Sequence, residues 1–216
     1  MLSIITPLFN DFVDFKEQIA SLHYLAHYDC EQIVINDGSM DCSIEQLEEL
    51  KAKAPYKIEI FQSIPFFWTA NRGKIYSINR GYAESKGDII LVLFPWVRMS
   101  EENMNEIIYS LDQATVVSPE YTSSWNNCHG QQNVLDVCFA FKNSFSPLPI
   151  DERLFNDYYD EYIFNTVDKD VLTAGSVFLK RHFTKYDKKT QMRINSRFAR
   201  DVKTWNLICK ENWWCR

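Results

Sequence analysis

Short apolar runs alternate with segments of helical period along the first hundred residues of the chain. Continuous apolar runs predict buried strands, and apolar residues that recur at helical spacing predict helices. The predicted strands are residues 2–8, 31–37, 56–63 and 88–94. The predicted helices are residues 14–27, 43–54 and 73–86. This alternation predicts a parallel sheet that is covered by helices on both faces.

The pattern is less regular in the second half of the chain. Residues 101–114 predict a helix and 115–121 a strand, whereas 122–150 is polar and aromatic and contains prolines. In the first half, Ser43 stands three residues before Gln46, so it is the expected N-cap of the helix that follows it.

The composition narrows the class of protein. With 216 residues, 46% of them hydrophobic, the chain can bury one sizeable core. A net charge of −6 disfavours nucleic acid as a partner, because nucleic-acid binders display clustered Lys and Arg. The six cysteines show neither a C-x-x-C pair nor zinc-finger spacing, which favours reduced thiols. The N-terminus is unlike a signal peptide and no apolar run reaches about 18 residues, so we expect a soluble cytoplasmic protein without a transmembrane segment.

The polar residues that follow the predicted strands are the first candidates for a binding site. In open α/β sheets, ligands bind beyond the carboxyl ends of the strands, where the strand order reverses. This rule points to residues 6–10, 36–41 and those after Leu93. The turn at 36–41 reads NDGSMD, and such residues also form ordinary turns, so its composition alone does not decide between a binding role and a structural one.

Three segments occur in a suggestive order: LSIITPLFN, then EQIVINDGSMDCS, then NRGKIYSINRGYAESKGDIILVL. Together they resemble the nucleotide-sugar half of the inverting glycosyltransferases of family 2, which have the GT-A fold. The resemblance covers roughly residues 1–100 and, more loosely, 137–182. It implies an α/β fold, a Rossmann-like three-layer sandwich with a mostly parallel central sheet. Residues 1–100 would be the nucleotide-sugar-binding half and 101–216 the acceptor-side half of the same domain.

The resemblance also implies which residues bind the nucleotide. They are Thr6, Pro7, Asn10, Asp37, Gly38, Ser39 and Asn79. In this family the acidic turn after the second strand recognises the base, so Asp37 is expected to accept a hydrogen bond from a uracil-like ring N–H. A carboxylate is an acceptor and suits such an N–H edge. The donor implied in this way is a UDP-linked sugar.

One motif of the family is replaced in this chain. The strand that begins at Gly87 and Asp88 ends, in the family, in Asp-X-Asp, whose carboxylates bind the ribose and a divalent cation. Here the matching positions are Phe94–Pro95–Trp96, which offer no side-chain oxygen to Mg²⁺ or Mn²⁺. Three explanations are possible: basic groups neutralise the diphosphate without a metal, other acidic residues bind a metal, or catalysis has been lost. The basic candidates are Arg72, Lys74 and Arg98.

Inverting transfer also requires a general base near the attacking hydroxyl. The segment IDERLFNDYYDEYIF (150–164) resembles the family's acidic pair after an aromatic stretch, with Asp160 and Glu161 in reversed order. Glu161 is the expected base and Asp160 the second candidate, although a charged helix face explains the same residues. The segment VFLKRH resembles a strand whose terminal His binds cation or phosphate in related enzymes, which makes His182 a candidate.

These residues predict an inverting, hexosyltransferase-type enzyme that moves a sugar from a nucleotide donor to a hydroxyl of a saccharide or glycan. The alternative is a catalytically silent homologue that acts as a binding or scaffolding domain, or a piece of a longer multidomain enzyme. A nucleotidyltransferase of similar sheet order is a third hypothesis, which the absence of a G-x-G-T-R loop after the first strand disfavours.

Overall fold

The computed structural model describes residues 1–63, 71–123, 138–145, 148–154, 162–163, 166–167, 170–179 and 188–211. The strands are β1 Leu2–Leu8, β2 Cys30–Asn36, β3 Lys57–Gln62, β4 Ile89–Leu93, β5 Val97–Arg98, β6 Val116–Ser123, β7 Cys138–Lys142 and β8 Val171–Leu179. The helices are α1 Phe12–Ser21, α2 Ile44–Lys53, α3 Lys74–Glu84, α4 Glu101–Ser110 and α5 Lys188–Glu211, with 3₁₀ turns at His23–His27 and Asn143–Phe145.

The strands of the described residues form one sheet in the order β3-β2-β1-β4-β7-β6-β8-β5. The four strands from β3 to β4 are mutually parallel. Strand β7 is antiparallel to both β4 and β6, β8 is parallel to β6, and the short β5 is antiparallel to β8. The predicted α/β class with a mostly parallel sheet is confirmed.

Helices pack on opposite faces of the parallel strands. Side chains alternate between the two faces along a strand, so Ile5 and Thr6 of β1 point in opposite directions. Ile5 meets helix α3 at Gly81. On the other face, Gln32 of β2 hydrogen-bonds Thr6 and also Gln18 of helix α1. The parallel half of the sheet is therefore the middle layer of three.

Helix α3 lies unusually close to the sheet. A Cβ atom added to Gly81 would overlap the Cγ2 atom of Ile5, so no larger residue fits without movement. A Cβ at Gly87, just after this helix, would lie 2.6 Å from the backbone nitrogen of Ser3. These two glycines set the distance of α3 and of the following turn from strand β1.

The two central strands are buried along their whole length. Every residue of β1 and of β2 is buried, including the polar Glu31, Gln32 and Asn36 of β2. The predicted cap at Ser43 is confirmed: Ser43 and Gln46 form a reciprocal capping box at the start of α2. None of the helices in the described part of the chain combines the length and apolarity that crossing a membrane requires.

The end of helix α1 and strand β7 are two places where the structure differs from the sequence prediction. The helix predicted at 14–27 is α1, which ends at Ser21, followed by a 3₁₀ turn at His23–His27. There the amide of Leu25 bonds the carbonyl of Leu22, an i to i+3 bond that tightens the chain. Strand β7 lies within 122–150, where the pattern predicted no element.

Candidate functional site

The loops that follow β1 and β2 are joined by hydrogen bonds. The Asn10 side-chain oxygen accepts from the Met40 amide at 2.7 Å, and the Asn10 amide donates to the Ser39 hydroxyl at 3.1 Å. The Phe12 amide donates to the Asp41 carboxylate at 2.8 Å. Asn10 has a positive φ of 57°, a conformation that asparagine tolerates better than most residues. The structure therefore brings two of the predicted nucleotide-binding residues, Asn10 and Ser39, into direct contact.

The turn after β2 is also fixed internally and to β3. The Asn36 side chain accepts from the Ser39 amide at 3.1 Å and donates to the Gln62 side chain at 2.8 Å. Gly38 has φ 79°, which favours glycine because a Cβ is strained in that region. The carboxyl ends of the first three strands therefore form one hydrogen-bonded edge.

The Asp37 carboxylate lies at the start of helix α3 and is only 2% exposed. Both of its oxygens accept from the Arg72 amide, at 2.9 and 2.8 Å, and Oδ2 accepts from the Gly73 amide at 2.7 Å. The Ser63 hydroxyl also donates to Oδ1. Burial raises the pKa of Asp37, and the hydrogen bonds from Ser63, Arg72 and Gly73 only partly offset that rise. Because the Arg72 amide is shared between both oxygens, each oxygen has two donors, and the roughly four acceptor positions of the carboxylate are all engaged.

Two cations lie at the beginning of α3. The guanidinium carbon of Arg72 is 3.7 Å from the ring centroid of Tyr76, one helical turn further on. The ammonium nitrogen of Lys74 is 5.6 Å from the ring centroid of Phe94, the residue that follows β4. Both distances are within the range of cation–π attraction. The start of α3 thus carries positive charge toward the end of β4.

The end of β4 is apolar and well packed. Phe94 and Trp96 are buried, with ring centroids 5.0 Å apart. The Gln18 side chain of α1 donates to the Phe94 carbonyl at 2.6 Å and approaches the Val97 carbonyl at 3.4 Å. Neither side chain offers oxygen to a divalent cation, and the described residues contain no group of three His, Cys, Asp or Glu suited to one. The residues at this strand end do not fit the family's metal.

Arg98 fills a packing position between this loop and helix α1. Its guanidinium donates to the Pro95 carbonyl at 2.7 Å, to the Asp14 carbonyl at 3.0 Å and to the Glu17 carboxylate at 3.2 Å. The Asp14 carboxylate lies 3.8 Å away, and the Arg98 side chain is 12% exposed. These contacts fix the course of residues 94–98 against α1.

The contacts of Thr6, Pro7 and Asn79 are with other parts of the fold than the joined loops. The Thr6 hydroxyl accepts from Gln32 at 2.8 Å inside the core, and Pro7 lies opposite Ile35 in the ladder between β1 and β2. The amide group of Asn79 makes two hydrogen bonds, of 2.8 and 2.9 Å, with the backbone of Ile150. Asn79 therefore connects helix α3 to the segment 148–154.

The acceptor-side candidates are only partly described. Asp160, Glu161 and His182 lie outside the described residues. Asp151, which with Glu152 matches the acids upstream of the family's pair, is described: the Arg153 side chain donates to its carboxylate at 2.6 to 3.0 Å, which lowers the pKa of Asp151. The sequence analysis did not identify Gln18, which holds the Phe94 carbonyl, or Ser63, which donates to Asp37. Gln18 was detectable as a polar residue on the apolar face of a helix.

Residues 3–93 match the family described as glycosyl transferase family 2. This segment is therefore similar to glycosyl transferase family 2, and the chain has the GT-A fold. Over 93 residues it is 31% identical to an uncharacterized glycosyltransferase of Nostoc sp.. That match covers 43% of this chain and 27% of the relative, so the chain spans about a quarter of the curated protein that it resembles.

Two solved structures show the same GT-A fold. S. aureus TarS 1–349 in complex with UDP-GlcNAc has a TM-score of 0.62 and 13% identity, covering 86% of this chain and 61% of that one. Glucosyl-3-phosphoglycerate synthase of Mycobacterium tuberculosis with Mn²⁺, UDP-glucose and phosphoglyceric acid has a TM-score of 0.63 and 13% identity. Its coverage is 94% of this chain and 79% of that one.

Proposed function

We propose that this chain binds a UDP-linked sugar and transfers the sugar, with inversion, to a hydroxyl of a saccharide or glycan. The observation that carries this proposal is the convergence on Asp37 of the β2 turn and the start of α3. The convergence lies at the carboxyl ends of parallel strands, where open α/β sheets bind nucleotides. The family match over residues 3–93 supports the same site, and the UDP-sugar complexes of proteins with this fold support the donor class.

Asp37 is the base-recognising residue in this proposal. One of its oxygens accepts the ring N–H of uracil in exchange for its share of the Arg72 amide, which keeps its bond to the other oxygen, while the Gly73 amide fixes the direction of the carboxylate. Asn10, Gly38 and Ser39 form the joined loops beside it, and Thr6, Pro7 and Asn79 stay candidates for contact with the nucleotide. Residues 1–100 then form the nucleotide-sugar half and 101–216 the acceptor side.

The reaction is a displacement at the anomeric carbon. The acceptor oxygen forms a new bond to that carbon while the bond from the carbon to the β-phosphate oxygen breaks, and the electron pair leaves with the diphosphate. A carboxylate takes the proton of the attacking hydroxyl; Glu161 is our choice and Asp160 the second. Attack opposite to the leaving group inverts the anomeric configuration.

A thermal-shift screen tests donor binding. Nucleoside diphosphates and nucleotide sugars are added to the native chain, since a ligand that binds only the folded state raises the melting temperature by mass action. We expect UDP and a UDP-sugar to raise it more than the ADP, GDP and CDP counterparts. A melting temperature that none of these ligands changes would sink the proposed function.

The burial of Phe94 and Trp96 in place of carboxylates specifically favours the silent-homologue alternative. The two functions differ in product formation, since both require a bound donor. Incubating the chain with a UDP-sugar that it binds and a panel of saccharide acceptors separates them. Our proposal expects a glycosylated product and released UDP, whereas donor binding without either would favour the scaffolding role.

A further inference from the structure

The residues at the end of β4 do not fit a divalent cation, but the ammonium of Lys74, from helix α3, lies over the Phe94 ring there. We propose that Lys74, held over the ring of Phe94, binds the donor's diphosphate in place of a metal ion and stabilises the charge of the leaving group. This inference rests on the proposed function, because it concerns the same donor site.

The sheet topology places the diphosphate beside this lysine. Strands β1 and β4 are parallel neighbours, paired from Leu2 with Ile89 to Ile5 with Val92. The connection after β1 leads to β2 on one side, whereas β4 lies on the other side, so the strand order reverses between β1 and β4. A nucleotide in an open α/β sheet lies across the crevice at such a reversal. A base at Asp37 on the β2 side therefore directs its phosphates toward the end of β4.

Lys74 spans this crevice. Its backbone opens helix α3, and the two preceding amides, of Arg72 and Gly73, are bound to Asp37 on the β2 side. Its ammonium nitrogen lies 5.6 Å from the Phe94 ring centroid on the β4 side. An ammonium has three N–H donors, so it can stay over the ring and still donate to phosphate oxygens.

The neighbouring charges favour Lys74 over the other candidates. The Arg98 guanidinium is largely buried and donates to Pro95, Asp14 and Glu17, which holds it on the α1 side of the loop. Arg72 is stacked on Tyr76 and supplies a second cation near the start of α3. Asp37 lies on the β2 side of the crevice and the Lys74 ammonium on the β4 side, so the base at Asp37 and the phosphates at Lys74 occupy different sides.

The platform under the ammonium is rigid. Phe94 packs on Trp96, and the Phe94 carbonyl accepts from the Gln18 side chain at 2.6 Å. Arg98 donates to the Pro95 carbonyl at 2.7 Å. With ring and backbone both fixed, the ammonium is positioned before the donor binds, so little reorganisation is needed as negative charge develops on the leaving diphosphate.

Calorimetric titration of UDP and of uridine tests the inference. Uridine contains the base and ribose without phosphates, so it reports on the nucleoside contacts alone. The native chain, Lys74→Gln, Lys74→Arg and the control Lys86→Gln are titrated with EDTA, and then with Mn²⁺ or Mg²⁺. Lys86 is a suitable control because its side chain is 65% exposed and lies just beyond the other end of α3.

We expect the native chain to bind UDP in EDTA with an affinity within about twofold of that with metal. Lys74→Gln should weaken UDP roughly 10- to 100-fold, the range for a charge-assisted hydrogen bond, and leave uridine unchanged. Lys74→Arg should recover most of the loss, and Lys86→Gln should bind as the native chain does. Far-ultraviolet circular dichroism and melting curves establish that each variant is folded.

Three results would overturn the inference while leaving the proposed function standing: native affinity for UDP in Lys74→Gln, an equal loss of UDP and uridine, or UDP binding that requires Mn²⁺ or Mg²⁺. A native chain that binds neither UDP nor uridine under any of these conditions would overturn the proposed function and this inference with it.

Discussion

The Gly73 backbone amide donates a hydrogen bond of 2.7 Å to the Asp37 carboxylate. The two residues are 36 positions apart, and the contact joins the turn after β2 to the first turn of α3. Because the positive end of the helix dipole and two amides face one carboxylate, the anionic form of Asp37 is stabilised where burial disfavours it. The same contact orients the carboxylate that we assign to base recognition.

Asp37→Asn should therefore reduce both stability and nucleotide binding. The amide keeps the shape but turns an N–H₂ group toward the amides of Arg72 and Gly73, which leaves donors facing donors. We expect a loss of about 1–3 kcal/mol in the free energy of unfolding and a similar loss in UDP binding. Urea denaturation and UDP titration measure the two, with the exposed Asp112→Asn as control. Unchanged UDP affinity in a folded variant would refute the base-binding assignment.

Glu31 gives a pH prediction for stability. Its carboxylate is buried and accepts from Ser3 at 2.9 Å, from the Lys57 ammonium at 2.9 Å and from the Lys86 amide at 3.0 Å. Burial acts to raise the pKa of Glu31, but these hydrogen bonds outweigh it, so its folded-state pKa lies below the usual value. The unfolded chain then binds more protons in that acid range, and stability falls as the pH drops through the folded-state pKa.

Glu31→Gln should cost about 1–3 kcal/mol at neutral pH, because a buried amide replaces the charged partner of Lys57. The cost should shrink toward acid pH, where the native carboxylate is itself protonated. Urea denaturation at a series of pH values from neutral to acid measures this cost at each pH. Glu49→Gln, on the exposed face of α2, is the matched control and should leave stability nearly unchanged, because its pair with Lys53 is solvent-screened. An equal cost for Glu31→Gln at every pH would contradict the assigned pKa shift.

Gly81→Ala should destabilise the protein although alanine is the better helix former. Helix propensity alone favours alanine by about 1 kcal/mol, but the new methyl group overlaps Ile5 of β1. Overpacking of this kind costs about 1–3 kcal/mol, so we expect a net loss in thermal or urea unfolding. In a double-mutant cycle, Ile5→Ala should offset part of the effect of Gly81→Ala, because both change the same contact. Strict additivity would mean that the close approach is not the cause.

The general base is tested by isosteric amides. Glu161→Gln removes basicity and keeps shape, so donor binding should persist while turnover falls by about 10² to 10⁴. Asp160→Asn, with its carboxylate one methylene shorter, is the second variant. Near-normal transfer in both, measured with an acceptor that the native chain glycosylates, would place the base elsewhere, at Asp151, Glu152 or Asp157.

The parallel half of the fold was predictable because most of its elements carry their own apolar pattern, a short apolar run in a strand or helical spacing in a helix. Strand β1 was predicted at 2–8 and found at Leu2–Leu8, since burial on both faces makes its apolar run continuous. Strand β7 was missed because CFAFK is a short apolar run within a polar and aromatic segment. Its antiparallel place between β4 and β6 is a long-range pairing that local periodicity does not encode.

The site was predictable in its residue types more than in its contacts. The order of motifs identified Asp37, Asn10 and Ser39, which the structure brings to one edge of the sheet. The local sequence does not show where the two cations lie. Arg98 and Lys74 carry the same charge, yet Arg98 is packed against α1 whereas Lys74 lies over the Phe94 ring. That difference depends on residues distant in sequence, such as Gln18.

Hydrogen exchange of the native chain, with and without UDP, measures where a nucleotide binds. The account predicts that saturating UDP slows amide exchange in peptides covering 36–41 and 71–74, with no comparable change at α5, Lys188–Glu211. Protection confined to other parts of the chain, or none at a UDP concentration that raises the melting temperature, would contradict the placement of the donor site at Asp37.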